Sequence, residues 1–192
     1  TDIEQTRAEI ARLSQERIQR VLQLQTLSTI RPAPMPGLIV LVSPRRVTEQ
    51  LHKLSAFEAI EYHRAALKHC WLIASSGEGG SFATAQELAQ HFGHYQVTCS
   101  IWQVIDAASI AETFALIDWF YTQRVPMVGL SETQVIADIT GGTKPMTAGM
   151  VLACGRRRPM QYMLFQPAGP SLPIALQVQK RAGGLPPSAL YP

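Results

Sequence analysis

Between residues 37 and 167 the chain alternates short apolar runs with longer stretches whose apolar positions recur every three or four residues. "GLIVLVS" (37–43), "CWLIAS" (70–75), "YQVTCSIWQV" (95–104), "TQVIADI" (133–139) and "PMQYMLFQP" (159–167) have the length and composition of strands. The first is a continuous apolar run, as a buried parallel strand requires. Helical spacing fills 47–68, 81–92, 109–123 and 144–155, with Ser81 placed to cap its helix. Strand and helix alternating five times predict an α/β fold with a doubly wound, mainly parallel sheet.

Ahead of this alternation, residues 2–28 read as one extended helix free of Gly and Pro. Ile3, Ile10, Leu13, Ile18, Val21, Leu22 and Leu24 recur near helical spacing. Arg12 with Glu16, and Glu16 with Arg20, add i,i+4 support. "RPAPMPG" (31–37) ends the helix, because its three prolines favour an extended linker. The expected organisation is a helix over 1–30, a Pro-rich linker over 31–37, one α/β domain over 38–180 and a tail over 181–192. The tail, with "GGLPPSALYP", is expected to order only against a partner.

The chain's 192 residues suffice for one such domain with a sizeable core. A net charge of +3 is too small to argue for duplex nucleic acid. It suits an anionic ligand if a few of the 17 basic residues converge. Cys70, Cys99 and Cys154 lack metal-ligand spacing and read as reduced thiols in a cytosol-like compartment. No paired carboxylates sit at metal-site spacing, so neither a metal nor a cofactor is expected. No apolar run reaches the ~20 residues of a membrane helix, and no signal-peptide pattern is present.

Ligands of doubly wound sheets bind beyond the carboxyl ends of the strands, and three loops lie there. In "TGGTKP", Gly141 and Gly142 can take positive φ and admit a ligand close to the backbone. Thr143 can cap the next helix, with Pro145 in its first turn. The helix N-terminus, Lys144 and the hydroxyls of Thr140 and Thr143 together describe an anion site. A tight strand–helix turn that binds nothing is the alternative. The chain holds no G-x-x-x-x-G-K-[ST] or G-x-G-x-x-G match, so a Walker-type ATPase is unsupported. In "SPRR", Ser43 is a candidate phosphate or ribose partner and Arg45 or Arg46 a candidate phosphate fork, against a solvated helix start. In "SSGEGG", Ser75, Ser76, Gly77 and Glu78 are placed to wrap a base or sugar, against a plain flexible loop.

The strand leading into "DITGGTKPMTAG" (138–149) resembles the signature of CARF domains, the CRISPR-associated Rossmann-fold sensors of type III immunity. The T-G-G-T-K-x-M core and the order of elements from 37 to 167 carry the resemblance. It implies a Rossmann-like sheet, a homodimer and a cyclic oligoadenylate lying across the dimer axis. It assigns phosphate and ribose contacts to Thr140, Gly141, Gly142, Thr143 and Lys144, and pocket lining to Ser43 and its neighbours. A cyclic tetra-adenylate shares the two-fold symmetry of such a dimer, and six adenylates is the other ring size considered.

Many members of that family carry a nuclease effector with an R-x4-6-H motif. Formal matches here, Arg64 to His69 and Arg45 or Arg46 to His52, fall within the expected first helix of the domain and read as structural. His63, His69, His91 and His94 read as surface or core histidines. No catalytic residue is assigned. The helix and proline linker resemble the stalk of a membrane-anchored CARF effector, which implies a cytoplasmic sensor domain tethered through a segment upstream of Thr1. The alternative is a ring nuclease, in which a ribose 2′-hydroxyl attacks its own phosphate and Lys144 stabilises the developing charge.

Overall fold

The computed structural model describes residues 2–27 and 30–176, without the side chains of Asp2 and of residues 17–27. The apolar positions Ile18 to Leu24, the Glu16–Arg20 pair and the 181–192 tail lie outside the described residues. Helix α1 runs over Asp2–Leu27, and every described side chain from residue 3 to 16 is exposed. Arg12 bridges Glu9 and Glu16 along its face, both at 2.6 Å.

The domain follows as β1 (Gly37–Leu41), α2 (Ser55–His63), β2 (His69–Ser75), α3 (Phe82–Gly93), β3 (Thr98–Val104) and α4 (Ile110–Trp119). Then come α5 (Val125–Met127), β4 (Val135–Asp138), α6 (Lys144–Cys154), β5 (Met160–Leu164) and β6 (Leu172–Leu176). The six strands lie in the order β3-β2-β1-β4-β5-β6. The first five are mutually parallel, and β6 pairs antiparallel with β5. This is the Rossmann-like, doubly wound arrangement.

Period-two alternation divides the core into two layers. Leu38, Val40 and Val42 face α2 and α3 with Ile60, Leu88 and Phe92. Ile39 and Leu41 face the opposite layer with Ile117, Phe120, Met146 and Met150. Strand β1 is covered on both faces, so its continuous apolar run is what its position demands. Helices α4 and α6 cross closely at Gly149, where an added Cβ would stand 2.6 Å from the Ile110 carbonyl oxygen.

Four expectations are corrected. The helix expected over 47–68 forms only at Ser55–His63, behind a 3-10 turn at Leu51–Lys53. A continuous helix would give the Glu49 carbonyl to the Lys53 N–H, but Arg45 Nη1 takes that carbonyl at 2.9 Å and Lys53 N–H turns to Gln50. The helix expected over 109–123 passes at Phe120 into a π-helical turn, Phe120–Arg124. Ser81 does not cap α3 through its side chain, because its Oγ accepts the Ser75 N–H at 2.9 Å. Strand β6, unforeseen, closes the sheet beyond β5.

Candidate functional site

Crossovers from β1 lead to β2 on one side, and those from β4 lead to β5 on the other. The sheet therefore changes winding between β1 and β4, and the crevice beyond their carboxyl ends is the switch point. Two of the three sequence-selected loops meet there. Ser43, two residues past β1, accepts the Gly142 N–H through Oγ at 3.1 Å. At Gly141 an added Cβ would collide with the Leu41 carbonyl oxygen, so the loop lies on the end of β1 with no room for a side chain. Gly142 sits at φ 76°, in the left-handed region that glycine enters without a Cβ penalty.

Thr143 starts α6 as expected. Its Oγ1 accepts the Met146 N–H at 3.3 Å and donates to the Ala107 carbonyl at 2.5 Å, tying the loop to the one after β3. Pro145 occupies the first turn. Among the described residues, no acceptor reaches the N–H groups of Thr143 and Lys144 and no partner holds the exposed Lys144 ammonium. Thr140 Oγ1 accepts the Met163 N–H at 2.7 Å. The hydroxyl of Ser43 accepts a backbone N–H, which leaves its own hydrogen free to donate, while the Thr140 hydroxyl turns back toward the Asp138 carboxylate. A positive helix end, the Ser43 hydroxyl, a glycine floor and an exposed lysine are the features that an anion site uses.

The other sequence-selected residues are placed differently. Arg45 Nη2 donates to both carboxylate oxygens of Glu87 of α3, at 2.7 and 2.9 Å, while Nη1 holds the Glu49 carbonyl, so the guanidinium is engaged within its own neighbourhood. Arg46 is exposed, its N–H bonded to Glu49. Ser75 is buried and closes its own loop with Ser81, each N–H donating to the other's hydroxyl. Ser76 Oγ donates to the Ile105 carbonyl at 3.0 Å, while Gly77 and Glu78 are exposed at the tip.

Sequence reading overlooked a buried polar chain behind the loop. Asp138, the last residue of β4, is fully buried, accepting the Thr140 N–H and Gln161 Nε2, each at 2.9 Å. Burial raises its carboxyl above the usual range, against the pull of those hydrogen bonds. Gln161 Oε1 meets His63 Nε2 at 2.9 Å, and His63 Nδ1 accepts the Met35 N–H at 3.0 Å. Burial pushes His63 down. The signal available in sequence was a carboxylate ending an otherwise apolar strand. Nothing local announces the rest of the chain: Gln161 lies 23 residues from Asp138, and His63 lies 98 residues from Gln161.

Fold and site define a Rossmann-like α/β domain with an anion-type loop at its switch point. No protein-family model and no curated protein matches the chain. Solved structures do. A type III CRISPR defence DNA nuclease activated by cyclic oligoadenylate aligns over 72% of this chain and 21% of its own, at 18% identity and TM-score 0.50. Enterococcus italicus Csm6 bound to cyclic hexa-2′-fluoro-hexa-dAMP aligns over 69% and 34%, at 10% identity and TM-score 0.54. Can2 from Sulfobacillus thermosulfidooxidans in complex with cyclic tetra-adenylate aligns over 68% and 32%, at 18% identity and TM-score 0.49. At these identities the likeness is one of fold, and it is the fold that the CARF resemblance implies. The chain spans about a third or less of each of those proteins.

Proposed function

We propose that this chain is a CARF sensor domain that binds a cyclic oligoadenylate, most simply cyclic tetra-adenylate, across a homodimer. The observation that carries the reading is the Gly141–Lys144 turn at the switch point, packed onto the end of β1 with its lysine free. The signature resemblance and two structures of the same fold, one activated by cyclic oligoadenylate and one bound to a cyclic hexanucleotide analogue, support it.

Each protomer offers one helix N-terminus, one Lys144 and the Ser43 hydroxyl. A ring with two-fold symmetry meets that set twice, so a modest half-site becomes a bipartite one. The dimer contact in this reading uses the exposed apolar residues of the packed helix pair α4 and α6: Ile110 and Phe114 on α4 with Leu152 on α6. The bound state passes outward by reorienting the protomers, with α1 as the route to an effector at a membrane. Exposed Ile3, Ile10 and Leu13 give that helix a stripe with which to pair.

Calorimetric titration with cyclic tetra-adenylate, cyclic hexa-adenylate and linear tetra-adenylate tests the reading. Tight binding of a ring and weak binding of the linear form are expected, and failure of both rings to bind refutes it. Chromatography of the recovered ring separates sensing from the ring-nuclease alternative, since a sensor returns it intact. Co-sedimentation of the full-length native protein with membranes tests the output.

A further inference from the structure

The chain from Asp138 to Met35 is directional at every link. A backbone N–H only donates, so His63 Nδ1 must be the bare nitrogen. Nε2 then carries the hydrogen and donates to Gln161 Oε1, which turns the Gln161 amide so that Nε2 donates to Asp138. Asp138 as carboxylate only accepts, from Gln161 on one oxygen and from Thr140 N–H on the other, with the Thr140 hydroxyl also bonded to it. Every group in the chain is satisfied, and no link can reverse alone.

Its two ends lie in segments with separate tasks. At one end Thr140 opens the anion loop. At the other, Met35 belongs to the extended segment that leads from α1 into β1. That segment is docked by Tyr62 Oη on the Pro32 carbonyl at 2.6 Å, by Lys68 and His69 N–H groups on the Pro36 carbonyl, and by Ala175 N–H on the Ile30 carbonyl. Among the described residues, Asp138, Gln161 and His63 are the side chains that join the loop to this segment in one unbroken path of hydrogen bonds. The path runs through the β4–β5 side of the sheet and α2, away from the two-fold patch.

We propose that Asp138, Gln161 and His63 are positioning residues that couple the Thr140–Lys144 loop to the linker at Met35, so that the state of the anion site is reported where α1 enters the domain. The coupling gives a physical route for the sensor reading above and rests on it only for the identity of the anion. A displaced loop moves the Thr140 N–H, Asp138 follows, and the fixed donor–acceptor order carries the change to Met35 as a bond kept or lost. Buried networks of this kind tolerate two discrete arrangements better than graded ones, because a half-satisfied link costs the desolvation of its orphaned partner.

Ring-nitrogen and amide NMR on the full chain tests this. In the wild type His63 must be the Nε2–H tautomer; a hydrogen on Nδ1 overturns the proposal. Asp138→Asn keeps an acceptor for Thr140 but presents an amide donor to Gln161. Gln161 must flip, His63 must move its hydrogen to Nδ1, and the Met35 amide, now facing a donor, should exchange at least tenfold faster. A local break at residue 138 with His63 and Met35 unchanged overturns the relay. Cyclic tetra-adenylate added to the wild type should shift Met35 exchange severalfold. Binding without that shift overturns the coupling, whereas failure of both cyclic tetra-adenylate and cyclic hexa-adenylate to bind refutes the sensor reading and leaves the tautomer result to decide the relay.

Discussion

At the residue scale, Lys144 and Gly141 contribute by opposite means, one by its charge and the other by having no side chain. Lys144 is the single full charge at the start of α6, so Lys144→Ala should weaken cyclic tetra-adenylate binding more than tenfold, as expected for a charge-assisted contact. Equal affinity by calorimetry would contradict the site assignment. Gly141→Ala drives a methyl into the Leu41 carbonyl oxygen, backbone that cannot swing aside. A loss of about 2–3 kcal/mol is expected, typical of overpacking, and a melting temperature lowered by about 5–10 °C follows for a chain of this size. An unchanged melt would mean that the loop does not rest on β1. His63 supplies a pH signature. Burial holds its folded value below the usual one, so below about pH 6.5 the unfolded chain takes up the proton first. Stability attributable to His63 is therefore complete above that pH and lost as pH falls. Asp138, raised by burial, works in the opposite sense, its native form taking up the proton before the unfolded chain does as pH falls. Urea midpoints between pH 7.5 and 5.5 should fall more steeply in the wild type than in His63→Gln; parallel slopes would remove His63 as the cause.

At the element scale, the alternation of apolar runs made five strands and most helices legible, because β1, β2 and β4 are buried on both faces and say so in composition. Strand β6 was not legible. Its five residues carry Pro173, and only pairing along β5 makes them a strand. The overlong helix after β1 failed for a comparable reason: a distant pair, Arg45 with Glu87, decides where the Arg45 side chain goes, and that side chain then takes a helical acceptor. The same pair explains why a sequence-selected phosphate fork stands elsewhere. The glycines, the cap at Thr143 and the lysine of the loop were legible because each acts through its own backbone position. Helix α1 gives a prediction at this scale. If its exposed stripe pairs two protomers, Leu13→Cys should yield a cross-linked dimer under mild oxidation, more so with cyclic tetra-adenylate present. Exclusively monomeric product on a denaturing gel would exclude α1 pairing.

At the scale of the whole molecule, the sheet order 3-2-1-4-5-6 brings together loops separated by nearly a hundred residues, Ser43 and Gly142 among them. A dimer built on the α4–α6 patch binds one ring per two chains, so calorimetry should give a stoichiometry near one half; a value near one would overturn the shared site. The rest of Gly141 against the Leu41 carbonyl bears on how fast such an assembly responds. Strand β1 lies inside the sheet, and a loop seated on its end needs no large closing motion, only the small shift that the Asp138 relay carries. Stopped-flow capture of the ring should then show a rate rising linearly with concentration in a single phase, and any slower, concentration-independent phase belongs to one protomer turning on the other.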